Sequence, residues 1–434
     1  MLISFAVTNF RSIRERLEFN MLKTGLKGFS ANYLTAKNRK QLLRSLVLYG
    51  PNASGKSNLL RAMRALEYLV NTSSSYKPDE VLEPYEPFRL DKSSKNQPVV
   101  FEIVFMADDI QFDYVVSFTL ARIETEELHF YPSNTRTLLY SRTVDKDIKF
   151  GDSYKGAKKT VEKLVLPNQL FLSKAVENNV DALMVPYRYF RHRMMVFTFL
   201  EEKYESTHAR LFARRLAENM NSAFSRRFNA LICAVDTGIC SVSAEEVDWS
   251  KVSFPGNLPE EVKKKFQEDY KYDIKTIHPL YEGRERVGEV AFDFREESDG
   301  TKSLFAIGGI IIEALQTGSV LVVDEFEKSL HPGMTQFLIK LFHNPQVNKY
   351  NAQLIFATHD VSLLSIDNFR RDQVWFSEKD EVGVTNIFRC SDIPGLRLGA
   401  PLDKWYASGR LGATPVIHED LFITEMQTDE QEAN

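Results

Sequence analysis

Gly50-Pro-Asn-Ala-Ser-Gly55-Lys56-Ser57 is the stretch that decides the fold. It fits GxxxxGK[ST] without a mismatch. Two glycines let the backbone turn tightly with no side chain in the way. Successive N–H groups then point inward at an anion, and the helix that follows adds its positive N-terminal end. A nucleoside triphosphate suits this arrangement. Lys56 would reach the β- and γ-phosphates, and Ser57 would ligate Mg2+. Gly50, Asn52, Gly55, Lys56, Ser57 and Asn58 are therefore read as nucleotide-binding positions. The flanks agree with this reading. Residues 46–49 are an apolar run, as in a buried parallel strand before a loop. From Lys56 onward, Leu59, Leu60, Met63, Leu66 and Leu69 recur at helical spacing.

Moving outward, the next decisive run is Ser319-Val-Leu-Val-Val-Asp324-Glu325. Its apolar residues predict a buried strand. Such a strand delivers Asp324 to its C-terminal edge, where ligands bind in open α/β sheets. Asp324 is read as a second Mg2+ ligand and Glu325 as the general base that polarises the attacking water. A phosphate loop alone does not separate kinases, GTPases and ATPases, but three further pieces do. Glu297-Ser298-Asp299-Gly300-Thr301 stands at a predicted helix start and resembles the signature of ABC-type heads. Ser298, Gly300 and Thr301 would there cap the γ-phosphate of the opposite subunit. Ser298 or Asp299 also suits a plain N-cap. Asp324-Glu325-Phe-Glu-Lys-Ser329-Leu330-His331-Pro332 resembles the loop along the dimer interface of such heads. Thr358-His359-Asp360 follows the apolar run 354–357, and His359 resembles the switch histidine that contacts the γ-phosphate. Asn9-Phe10-Arg11-Ser12 resembles the start of RecF- and SMC-like ATPases, where the Arg–Ser pair lies near the nucleotide.

Composition bounds the rest. The 434 residues are 43% hydrophobic and 26% charged, so a large core is expected. A formal charge of −4 argues that any nucleic-acid binding is local. Three cysteines without a CxxC pair argue against a disulfide framework. No signal peptide and no run long enough to span a bilayer are seen, which predicts a cytoplasmic protein without membrane contact.

Along the chain, residues 99–143 alternate at period two, with Asp108-Asp109 at a hairpin turn. Residues 145–162 are expected to be loop, and 187–234 to be helical throughout. That last segment carries nine Lys or Arg and four Glu, which suits either a solvated face or a binding face. Residues 255–273 are expected to be a surface insertion and 288–294 a strand. The helices are expected at 301–315 and 333–342, and the last buried strand at 353–357. The expected fold is α/β: an ABC-type P-loop ATPase head with a mixed central sheet, an accessory antiparallel β layer and a helical insertion. The expected division is 1–180 for an N-terminal lobe, 181–285 for a helical insertion or lid, 286–417 for a C-terminal lobe and 418–434 for an acidic, mobile tail.

With these residues in hand, the chain resembles the SMC/RecF-like ABC ATPases of bacterial phage defence, chiefly the AbiL- and RloA-type abortive-infection ATPases. The PARIS and Septu ATPase subunits resemble it more distantly. The likeness extends to Leu170-Phe-Leu-Ser173, Arg371-Asp-Gln-Val-Trp375-Phe-Ser-Glu-Lys379 and Tyr406-Ala-Ser-Gly-Arg410-Leu-Gly-Ala413. It implies ATP and Mg2+ as ligands, a homo-oligomer of at least two heads, and a separate effector protein, often a nuclease. It adds DNA or a phage component as a candidate trigger. Ser173 stands where such heads usually carry a Gln that links nucleotide to the lobe interface. The strand-rich stretch between Ser57 and Ser298 argues against a long coiled coil. The residues after His359 lack the strand and acid pair of a fused TOPRIM nuclease. Three readings follow: a nucleotide-driven clamp, a scaffold that restrains a toxic partner, and a RecF-like DNA-repair head.

Overall fold

The computed structural model describes residues 1–198, 202–235, 237–364, 368–396, 399–414, 419–420, 422–423 and 425–426. Glu201 and most of the acidic tail lie outside these residues. A six-stranded sheet forms the centre, in the spatial order Met194–Phe197, Val320–Val323, Gln353–Ala357, Ser45–Tyr49, Val374–Lys379, Thr385–Arg389. All neighbours are parallel except the last pair. The middle strands are buried on both faces, which explains their unbroken apolar runs. Successive side chains sort to opposite faces. Leu46, Leu48, Val320, Val322 and Ile355 enter one core. Val47, Tyr49, Leu321, Val323 and Phe356 enter the other.

The first core is closed by the helix Lys56–Thr72 and a seven-stranded antiparallel sheet. That sheet contains Val99–Ala107, Ile110–Phe118, Ile123–Tyr131 and Thr137–Thr143, as the period-two pattern predicts. It also takes in Leu2–Thr8 and Leu17–Asn20 at one side. Asp108 and Asp109, with φ of 46° and 65°, make the hairpin turn. The second core is closed by helices Asp299–Thr317, Pro332–His343 and Ala223–Cys233. Gly308 and Gly309 interrupt the first of these, although glycine costs a helix roughly 1 kcal/mol relative to alanine. Packing requires them: side chains there would collide with Leu231 and with the ring of Phe212.

Two sequence expectations are corrected. The segment 187–234 is not helical throughout, because Met194–Phe197 is a strand that pairs in parallel with Val320–Val323. A four-residue apolar run is too short for its period to tell strand from helix. The expected loop 145–162 contains a short strand, Lys149–Phe150, and the start of the helix Lys158–Leu164. Beyond the core, Ser241–Glu246, Tyr272–Glu282 and Glu285–Asp293 form a separate three-stranded sheet, and Glu260–Asp269 is an exposed helix beside it. Among the described residues, no helix is long and apolar enough to cross a membrane.

Candidate functional site: three strand ends around a phosphate loop

The phosphate loop leaves the strand Ser45–Tyr49 and enters the helix at Lys56. Gly55 is the N-cap in the left-handed region, φ 107°, and no side chain caps the helix. The first amides of a 17-residue helix therefore stay available to an anion. Ala53 is also left-handed, φ 64°, and Asn52 and Ala53 are exposed at the tip. Lys56 is folded back, with Nζ donating to the carbonyls of Gly50 at 2.8 Å and Pro51 at 3.0 Å. Burial pushes its pKa down to about 8, against the charges of Asp324, Glu327 and Glu325.

The loop rests on elements distant in sequence. The Ser54 carbonyl accepts from Thr385 Oγ1 at 3.0 Å and from Ser377 Oγ at 3.1 Å. A methyl group at Gly55 would collide with the Thr385 side chain, and one at Gly50 with the Ser377 carbonyl. The two glycines thus serve close packing as well as backbone geometry. Ser12 joins this cluster: its hydroxyl lies 2.8 Å from Thr385 Oγ1 and accepts from Asn58 Nδ2 at 2.7 Å. Arg11 turns the other way and pairs with Glu86 at 2.9 Å. Asn9 ties down the segment 88–98 by donating to the Gln97 carbonyl at 2.8 Å and accepting from Phe88 N–H at 3.1 Å.

The strand order places the switch strand Gln353–Ala357 between the phosphate-loop strand and the acidic strand Val320–Val323. All three are parallel, so their C-terminal ends, with the phosphate loop, His359 and Asp324, lie side by side. Asp324 is 7% exposed, and the Ser57 hydroxyl lies near its carboxylate. Burial raises its pKa, and the Ser57 hydroxyl opposes that rise. Glu325 is exposed, and its φ of 50° is a conformation that a non-glycine residue adopts at a cost. His359 has exposed surface, yet its pKa is lowered, first by partial desolvation and then by the charge of Lys56. Its backbone N–H donates to Glu327 Oε1 at 2.6 Å. Tyr49 Oη donates to the Asp360 carbonyl at 3.0 Å, which fixes the turn after the histidine.

Of the signature-like residues at the start of the helix Asp299–Thr317, Ser298 is exposed, Gly300 is half-buried and Thr301 is buried. Ser298 caps the helix Asp299–Thr317 by accepting from Thr301 N–H at 3.1 Å. A methyl group at Gly300 would stand 2.9 Å from the Ser329 carbonyl, so this glycine packs on the turn that follows the acidic strand. Ser173 is corrected. Its hydroxyl donates to the Val70 carbonyl at 2.6 Å, near the far end of the helix Lys56–Thr72. That is roughly 20 Å along the axis from Lys56 at 1.5 Å per residue, so Ser173 does not stand at the phosphate loop.

The late motifs buttress the same loop. Ser377 lies within the stretch 371–379. Tyr406 packs edge-on against Tyr49 at 5.6 Å and stacks on Phe376 at 5.5 Å. Its hydroxyl donates to the Ala413 carbonyl at 3.0 Å. Glu327, Thr385 and Ser377 were not singled out from sequence as site residues. Three arginines of the expected basic segment are engaged. Arg214 bonds Glu218 at 2.7 Å, Arg215 approaches Glu313 at 3.6 Å, and Arg210 stands over the Tyr270 ring at 4.5 Å. The side chains of residues 202–209 lie outside the described set.

Among solved structures, the chain is similar to the SMC head bound to the C-terminal winged-helix domain of ScpA, with 12% identity and a TM-score of 0.45 over 89% of this chain and 97% of that one. It is also similar to the SMC head domain from Thermotoga maritima, with 13% identity and a TM-score of 0.39 over 89% and 98%. No curated protein matches the sequence. Residues 45–365, which run from the phosphate-loop strand past His359, match the family described as "AAA domain, putative AbiEii toxin, Type IV TA system". With that match spanning most of its length, the chain belongs to this family of AAA domains.

Proposed function

We propose that this AAA domain binds and hydrolyses ATP and works as a homodimer of heads that nucleotide closes. The observation that carries the reading is the meeting of a phosphate-loop hydroxyl, Ser57, and a buried carboxylate, Asp324, beside Lys56 where three parallel strands end. A hydroxyl and a carboxylate are hard oxygen donors, and with phosphate oxygens they suit Mg2+. Bound there, Mg2+ would neutralise charge on the β- and γ-phosphates. Lys56 would exchange the Gly50 and Pro51 carbonyls for phosphate oxygens. Glu325, exposed at the strand end, would polarise the attacking water. His359 would face the γ-phosphate. Ser298, Gly300 and Thr301 of the second head would cover that phosphate from the other side, so ATP would be the ligand both heads share.

In the cell, this clamp would act as a sensor in antiviral defence by abortive infection, beside a separate effector protein. The family description, with its putative toxin of a toxin–antitoxin system, favours a growth-arresting role of this kind. The test is turnover and solution mass of wild type and Glu325→Gln, alone and with the product of the neighbouring gene. The expected result is a loss of at least ~10²-fold in hydrolysis with ATP retained, and an ATP-dependent dimer that captures the neighbour. Unchanged turnover in Glu325→Gln would remove the assigned base. A monomer that captures nothing would remove the clamp.

A further inference from the structure

The turn after the acidic strand holds a third carboxylate. Glu327 Oε1 accepts the His359 N–H at 2.6 Å, while the neighbouring Phe326 N–H donates to the Ala357 carbonyl at 3.2 Å. These two bonds fasten the turn to the end of the switch strand. The turn is closed on itself by Lys328 N–H to Glu325 O at 2.9 Å and by Leu330 N–H to Glu327 O at 2.8 Å. The charge of Glu327 acts on both Lys56 and His359, and on each it outweighs that of Glu325. Its second oxygen, Oε2, is buried and has no hydrogen-bond partner among the described residues. A desolvated carboxylate oxygen is costly to keep unless the group has work to do.

Building on the reading of this site as an ATPase centre, we propose that Glu327 is a positioning residue that sets the switch histidine through its backbone. The bond is charge-assisted, so it is stronger and better aligned than a neutral loop contact. The other ties nearby are Thr358 N–H to the Leu48 carbonyl at 3.1 Å, Asp360 N–H to Thr358 Oγ1 at 3.0 Å and the Tyr49 bond to the Asp360 carbonyl. They hold the residues on either side of His359, and Glu327 holds the N–H of His359 itself. The same turn carries Ser329 against Gly300. A displacement of His359 is therefore passed through Glu327 to the signature end of the same head. Glu327 acts through His359 and takes no proton from water.

Hydrogen exchange of the His359 amide, read by mass spectrometry on nucleotide-free protein, tests the bond without reference to activity. Glu327→Ala should exchange at least ~10-fold faster there, and Glu327→Gln, which keeps a carbonyl acceptor, should stay near wild type. In hydrolysis, Glu327→Ala should lower kcat at least ~10-fold with KM for ATP within about 3-fold, and Glu327→Gln should recover most of that loss. Adding Glu327→Ala to His359→Ala should slow it no further. Unchanged amide exchange in Glu327→Ala overturns the proposal. So does a Glu327→Gln variant as slow as Glu327→Ala with its amide still protected, which would mark proton transfer. A raised KM with unchanged kcat also overturns it. Absence of turnover in the wild type would instead remove the ATPase reading, and the exchange comparison would still decide the bond.

Discussion

Ser57 and Asp324 stand near each other, hydroxyl beside carboxylate, at the ends of two parallel strands that are not neighbours. The strand Gln353–Ala357 lies between those strands, so the pair meets across the head of the sheet, one residue from Lys56. Two oxygen donors already brought together need little reorganisation to share one cation. Asp324→Asn keeps the shape of the side chain but removes the charge. The expected outcome is unchanged ATP affinity in a chelator and loss of the gain, at least ~10-fold, that Mg2+ gives wild type. Calorimetric titration of ATP with and without Mg2+ measures this. An undiminished Mg2+ effect in Asp324→Asn would place the cation elsewhere.

Thr385 supplies the second prediction. Its hydroxyl is shared between the Ser54 carbonyl and Ser12, and its side chain fills the space beside Gly55. Thr385→Val keeps the volume and removes the hydrogen bonds. Each neutral bond contributes ~0.5–1.5 kcal/mol, so the loop should loosen and ATP affinity fall by roughly 10-fold. Gly55→Ala should abolish binding, because the new methyl meets Thr385 and the left-handed φ of 107° is lost to strain. Fluorescence titration of a labelled ATP analogue separates the two. Wild-type affinity in Thr385→Val would show that the loop holds its shape without this support.

Thr385 also shows where sequence ceases to be readable. Residues 50–57, 319–325 and 353–359 carried their meaning locally, because a phosphate loop and a strand end in acids are made of neighbours in the chain. Their grouping at one sheet edge follows from parallel pairing. The supports could not be read in this way. Thr385, Ser377 and Tyr406 reach the loop from strands and a helix more than 300 residues further on; Ser377 and Tyr406 lie in stretches that carry the family likeness, but nothing beside them in the chain reveals that they touch the loop. Glu327 sat within the interface-loop resemblance, but its partner is a backbone amide, which no residue pattern reveals. Met194–Phe197 was lost in a helical reading because four buried residues carry no usable period. Ser173 resembles the position of the linking Gln only by its stretch of sequence, whereas burial and the Val70 bond decide where it stands.

Glu126 gives a stability prediction in the antiparallel layer. This fully buried carboxylate accepts from Tyr114 Oη at 3.0 Å, Tyr140 Oη at 2.7 Å, and the N–H groups of Phe171 at 2.6 Å and Leu172 at 2.9 Å. Four donors converge on one charge, and they fix the start of Phe171–Glu177 against the sheet. Glu126→Gln replaces one acceptor oxygen by a donor NH2, which would face three groups that also donate at Oε1, or the Phe171 N–H at Oε2. Breaking such a buried arrangement costs ~3 kcal/mol or more, which in a chain this long corresponds to a melting point lowered by at least ~3 °C. A thermal melt checks it. A shift within about 1 °C would mean that the Tyr hydroxyls turn and find other partners.

His343 gives the pH dependence. Its Nε2 lies 2.8 Å from Ser45 Oγ, at the foot of the phosphate-loop strand, with Gln373 Nε2 at 3.4 Å. Burial first, and then the charges of Arg44 and Lys340, push its pKa down to about 3. The folded protein thus holds the ring neutral, while the unfolded chain takes up a proton below about 6.5. The unfolded state then binds more protons, so this contribution is fully present above that pH and is lost as pH falls toward 3. By pH 5 the loss is about 2 kcal/mol from this residue alone. His343→Gln cannot titrate and keeps hydrogen-bonding atoms near Ser45 and Gln373. Urea midpoints at pH 7.5 and 5.0 should therefore fall further for wild type than for His343→Gln, even if the variant starts lower. Equal falls would mean that His343 is charged in the folded protein. Ser45 could then no longer donate to Nε2, and the ring would have to move out from beneath the strand that carries the phosphate loop.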